Sequence, residues 1–184
     1  MRVLEINAYT FGELSEKVQE RVLEKFRDMN VDYEWYENTK EIWTKKLKEN
    51  GFLNAKIEFS GFHSQGDGAS FTGEIDIQKM IDTFPEFKSL EVDKINLGIL
   101  DLNGRYYHSH SKKVTGDYDE WDIDKEGDTL FESFKDAVEQ FRQDLCQDIY
   151  AELQKEYEYL TSDECIIESF SMNNYEFNVY GEHI

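Results

Sequence analysis

Two cysteines in 184 residues, Cys146 and Cys165, stand without the C-x-x-C or zinc-type spacing of a redox pair or metal site, so both read as buried thiols. No stretch approaches the roughly twenty apolar residues of a membrane span. The first thirty residues carry charge throughout, where a signal peptide would have an apolar centre, so the expected compartment is the cytoplasm. Basic residues are scarce: 20 Lys and Arg face 40 Asp and Glu, for a formal net charge of −20. That imbalance excludes nucleic acid and anionic membranes as direct partners and favours a basic surface. Internal repeats and flexible linkers are missing as well.

Against these absences stand 39% hydrophobic and 15% aromatic residues, too many for a disordered acidic chain even with 33% charged. The chain therefore folds, and its length suits a single α+β domain over residues 1–184. Arg2 to Tyr9 reads as a short strand. Thr10-Phe11-Gly12-Glu13 has capping-box spacing, and Ser15 offers an N-cap before a helix from Glu16 to Met29 that carries Val18, Val22, Phe26 and Met29 on one face. Asp32 is positioned to cap a second helix through Trp35, Ile42, Trp43 and Leu47, which Gly51 stops. Trp35, Tyr36 and Trp43 form an aromatic stripe expected in the core.

The period then changes. Ala55–Ser60 and Ala69–Ile77 alternate as paired strands around the loop from Gly61 to Gly68, with a helical turn following near Lys79–Thr83. Ile95–Leu102 is a third strand. Asn103-Gly104 is a type I′ hairpin signal, which makes Arg105–Val114 the returning strand. From Leu130 to Leu160 an apolar stripe keeps helical spacing, giving one long acidic helix over about 129–160. A short helix after Ser162 and a closing strand at Tyr175–Tyr180 complete the chain. The expected architecture is a mostly antiparallel sheet of four to six strands with helices on one side.

Charge concentrates between Asp117 and Glu164, where seventeen acidic and four basic residues give −13 of the total. Within it Asp144, Asp148, Glu152 and Glu156 recur every fourth residue, spacing carboxylates about 6 Å apart along a helix axis. Phosphates along a nucleic-acid strand are spaced on that order, so such a row suits the Lys and Arg of a nucleic-acid-binding groove. Asp119, Glu120, Asp122 and Asp124 of the preceding loop join the row as candidate partner-binding residues; their spacing lacks the glycine and glutamate that an EF-hand requires. An ordinary solvated helix face is the competing reading.

No complete catalytic or cofactor motif is present. Gly66-Asp67-Gly68 lacks the Lys-Ser/Thr ending of a phosphate loop. His63, Ser64 and Asp67 could meet His108 and His110, which share a strand face at i, i+2, and hold a metal or support acid–base work as a small hydrolase. The plainer reading is a glycine-shaped hairpin with exposed polar side chains. The balance expects a protein that is not an enzyme, takes no cofactor or metal, and binds another protein.

Four stretches together resemble a family of small acidic proteins of phages and prophages of Gram-positive bacteria. They are Tyr9–Glu16 (YTFGELSE) with Asn30–Tyr36 (NVDYEWY), Phe59–Phe71 (FSGFHSQGDGASF), Arg105–Ser109 (RYYHS) and Tyr159–Glu164 (YLTSDE). The motif loop is marked by His63, Ser64, Gln65 and Asp67, with His63 standing where the family usually carries Trp. The resemblance implies an antitoxin-like or anti-CRISPR (type II) anti-defence protein in the cytoplasm of a host bacterium. Its implied partner is a basic effector, an RNA-guided nuclease of the Cas9 type, whose DNA binding or cleavage it would block through carboxylates. An antitoxin neutralising a basic toxin is the alternative.

Overall fold

An apolar side chain at every third or fourth position drives Lys125–Leu160 (α4) into a 36-residue helix. The computed structural model describes residues 7–102, 104, 106–119 and 125–184. The other elements are α1 (Glu16–Lys25), α2 (Glu37–Glu49), β1 (Phe52–Phe59), β2 (Ala69–Ile75), α3 (Ile77–Thr83), β3 (Ile95–Asp101), β4 (Lys112–Tyr118) and α5 (Asp163–Met172). The chain gathers into two compact units. One comprises residues up to Tyr36 together with Lys155–Ile184, the other Glu37–Gln154.

The larger unit holds a four-stranded sheet in the order β1-β2-β3-β4, every neighbour antiparallel, as the α+β reading expected. It is two hairpins more than one continuous sheet. β1 pairs with β2 through Ile57↔Phe71, and β3 with β4 from Ile95↔Tyr118 to Asp101↔Lys112, but β2 and β3 share the single pair Glu74↔Gly98. Within this unit α2 and α4 pack together against the sheet. Phe141 of α4 packs on Phe52 of β1 at 6.0 Å, the Phe87 ring meets Phe134 at 5.3 Å, and Trp43 of α2 donates its indole N–H to Glu152 of α4 at 3.0 Å. Phe52, Phe71, Leu47, Met80, Phe134, Val138, Ile149 and Leu153 are fully buried between the layers. Each such side chain contributes about 1.5–3 kcal/mol.

In the smaller unit Leu14, Val22, Ile166, Phe170 and Phe177 form a core, with Phe26 edge-on to Phe170 at 5.3 Å. Ser162 caps α5 by accepting the Cys165 N–H, and Arg27 of the α1 side bonds Asp163 at 2.6 Å. No helix among the described residues is long and apolar enough to cross a membrane.

Several boundaries depart from expectation. Thr10–Glu13 makes the expected capping box, the Glu13 carboxylate accepting both the Thr10 N–H and its hydroxyl, but around a 3-10 turn of its own; α1 opens behind Ser15 as expected. α1 ends at Lys25, since Phe26 leaves helical geometry at ψ 13°, and α2 starts only at Glu37. Trp43 is core, whereas Trp35 and Tyr36 are half-buried in the turn before α2, with Trp35 packed on Tyr157. Most of the strand expected at Arg2–Tyr9 lies outside the described residues; Tyr9 itself makes one bridge to Phe177, and Tyr175–Tyr180 forms only isolated bridges.

The returning strand begins at Lys112, not Arg105, and His108 and His110 share no strand face. The cause is local. The Arg142 guanidinium takes the Ser109 and Lys112 carbonyls at 2.6 and 2.8 Å, and the Ser111 hydroxyl donates to His108 O at 2.7 Å. Ser109–Ser111 is thereby closed into a 3-10 turn. Asn103 and Arg105 lie outside the described residues, and with them the type I′ turn expected at Asn103-Gly104.

Candidate functional site

On α4 the i, i+4 row is longer than the four residues singled out from the sequence. Asp128, Glu132, Asp136, Gln140, Asp144, Asp148 and Glu152 follow one another at that spacing, all exposed. At 3.6 residues per turn the row drifts about 40° per step. It therefore starts beside the buried stripe at Asp128, crosses the middle of the solvent side near Gln140, and returns to the stripe's other edge at Glu152. Asp136 and Asp148 have no partner among the described residues, whereas Asp144 accepts from Gln140 at 2.8 Å and Glu132 from Lys135 at 2.6 Å.

Glu152 is otherwise engaged. Its Oε2 accepts the Trp43 indole N–H and lies 3.4 Å from Lys46 Nζ, whose ammonium sits 4.1 Å above the Trp43 ring. Glu156 is exposed but belongs to the smaller unit. Asp119 is exposed at the end of β4, its N–H donated to Lys94 O at 2.7 Å. Glu120, Asp122 and Asp124 lie outside the described residues.

A second group of sequence-predicted residues converges at one end of the sheet. In the order β1-β2-β3-β4 the β1–β2 and β3–β4 connections emerge at the same end, so topology brings the motif loop to His108. The Asp67 carboxylate folds the loop by accepting the His63 and Ser64 N–H groups on Oδ2 at 3.0 and 2.7 Å. The Ser64 N–H, with those of His63 and the Ser60 hydroxyl, holds the Asp67 carboxyl below the usual aspartate range. Gly66 supplies the loop's positive φ, 103°, as the hairpin reading expected. Gly68 has a different role: a Cβ there would lie 2.6 Å from His108 Cα, so only glycine lets the two connections touch. Gln65 is exposed beside Gly66.

Between them lies a small pocket of about 110 Å³ lined by Asp67, Gly68, His108, Cys146, Gln147 and Tyr150. The Tyr150 hydroxyl donates to Gly61 O at 3.1 Å, and its ring lies 5.4 Å from Phe62. His108 Nδ1 accepts the His110 N–H at 3.2 Å. Burial pushes the Cys146 thiol up to about 11, so it is no nucleophile. Among the described residues no three His, Cys, Asp or Glu side chains are placed to hold a metal ion.

Sequence reasoning missed the polar core beneath this end. Arg142 is fully buried, bound to Glu139 through Nε and Nη2, and Glu139 in turn accepts the Val114 N–H of β4 at 2.8 Å. Lys112, also buried, spans the gap between the hairpins, with Nζ 3.0 Å from Glu58 and 3.2 Å from Asp101. Burial alone would lower the Lys112 ammonium, but its bonds to Glu58 and Asp101 outweigh that and raise it. Both residues were detectable in principle, because Arg142 interrupts the apolar stripe one turn after Val138 and Lys112 is in phase with Val114.

The class so defined is an α+β protein with a sheet of two hairpins, a long acidic helix exposed on one side, and a loop-built anionic pocket at the sheet end. The chain belongs to the family described as a domain of unknown function (DUF8835), which matches residues 35–163. That stretch contains both the motif loop and most of α4. No curated protein and no solved structure matches the chain.

Proposed function

We propose that the protein is a phage-encoded anti-defence inhibitor, not an enzyme, that occupies the nucleic-acid channel of a basic effector, an RNA-guided nuclease of the Cas9 type. The carrying observation is the band of exposed carboxylates from Asp128 to Asp148 on α4, two of them without any partner among the described residues. Successive steps of about 6 Å along a rigid helix offer Lys and Arg side chains the recurrence they meet on a phosphate backbone. The phage-family resemblance supplies the biological setting, and the excess of −20 supplies long-range attraction to a basic surface.

The test is cleavage of target DNA by a guide-loaded Cas9-type nuclease with increasing amounts of the protein. The informative variant is Asp136→Lys, Asp144→Lys, Asp148→Lys, because Glu152 holds Trp43 and its reversal would disturb packing as well as charge. Inhibition should vanish in the triple variant while its circular dichroism is unchanged. Binding should also weaken steeply with salt, as the Debye length falls from ~10 Å at 0.1 M to ~3 Å at 1 M. Full inhibition by the folded triple variant would overturn the proposal.

A further inference from the structure

The pocket at the sheet end is not used by the α4 reading, and its chemistry is specific. Asp67 is the carboxylate among its lining side chains. Both backbone bonds to Asp67 end on Oδ2, and the Ser60 hydroxyl also bonds the carboxylate. Tyr150 lines the wall with Phe62 packed behind its ring, and Tyr106 stands beside His108 with ring centroids 6.0 Å apart. A carboxylate and the Tyr150 ring lining the same opening of about 110 Å³ suit one flat cation. A guanidinium fits that description better than an ammonium, because it stacks on rings and donates in a plane to a carboxylate.

We infer that this pocket receives an arginine side chain of the basic partner, so that the motif loop anchors a complex that the acidic helix attracts. The inference rests on the basic-partner reading above. The division of labour is physically sensible: exposed carboxylates steer encounter and give salt dependence, whereas a half-enclosed arginine contact slows dissociation. Glycine at position 68 and the Asp67-centred turn then have a common purpose, holding the carboxylate and His108 on opposite sides of one small opening.

The experiment uses the full chain, ¹⁵N-labelled, titrated at low salt with N-acetyl-arginine amide. Saturable shifts confined to the amides of Gly66, Gly68 and Gln147 are expected, with half-saturation on the order of millimolar for so small a probe. N-acetyl-citrulline amide, of the same shape without the charge, should produce none. Asp67→Asn keeps an oxygen for the His63 and Ser64 N–H groups and should weaken the probe at least tenfold. Gln147→Arg, on an exposed position of α4, should block the probe with a tethered guanidinium even if the Asp67 variant disturbs the loop. Shifts scattered over the surface, an equal response to citrulline, or undiminished binding in both variants would overturn the inference. No nuclease is present in this assay, so its failure leaves the α4 proposal to its own test, and failure of that test leaves the pocket result standing.

Discussion

Arg142 Nη2 lies 2.8 Å from Glu139 Oε1, one turn back on the same helix, with the guanidinium wholly buried and the carboxylate nearly so. The pair connects α4 to β4 through the Val114 N–H and the Lys112 carbonyl, and to the β3–β4 connection through the Ser109 carbonyl. It therefore fixes His108, and with it one wall of the pocket, against the helix that carries the acidic band.

Breaking the pair should be costly. Arg142→Met leaves the Glu139 carboxylate and two carbonyls without their donor, and a loss of about 3–5 kcal/mol in urea unfolding is expected. Replacing both partners together, Glu139→Leu with Arg142→Met, should recover much of that loss. A single-variant loss below ~1 kcal/mol would show that water replaces the guanidinium.

Acid should act through the same carboxylate. Burial pushes Glu139 up, but the bonds from Arg142, the Val114 N–H and Gln143 outweigh it and hold the carboxyl below its ordinary 4.5. A depressed acid stabilises the fold above its unfolded value, and that contribution is lost as pH falls through the folded value. The stability difference between the native chain and Glu139→Gln should therefore shrink from about pH 6 to about pH 3. A difference that stays constant over this range would contradict the linkage.

The two loop glycines should respond differently. Gly68→Ala places a methyl 2.6 Å from the His108 backbone and should cost about 2 kcal/mol, since neither connection can retreat freely. Gly66→Ala meets only the Tyr106 ring at 4.0 Å, and its cost, about 1 kcal/mol, comes from the positive φ alone. Melting temperatures of the two variants check the order.

Neither thiol should react in the native protein. Burial raises both, Cys146 to about 11, so at neutral pH they lack the thiolate that attacks a disulfide reagent. Ellman's reagent should find no fast-reacting thiol in buffer and two in denaturant.

Periodicity alone was enough for α4, for the β1–β2 pair and for the α+β class, because an apolar stripe of 3.6 or 2 residues needs one face buried and dictates the element whatever covers it. The acidic row was likewise visible as spacing from Asp144 onward, and the Gly61–Gly68 loop as a glycine-shaped hairpin. Other features had no local signal. Arg105–His110 alternates like a strand, but the carbonyls of Ser109 and Lys112 are taken by Arg142, some thirty residues away, and only the packed α4 puts that guanidinium there. Glu152 looked equivalent to Asp148 until helix drift carried it to Trp43 of α2. The pocket itself depends on strand order, which sends two connections to the same end of the sheet and lets Gly68 touch His108. Local sequence sets the period and charge of each element; which groups meet is decided by long-range packing, where one buried ion pair or one absent Cβ outweighs any local preference.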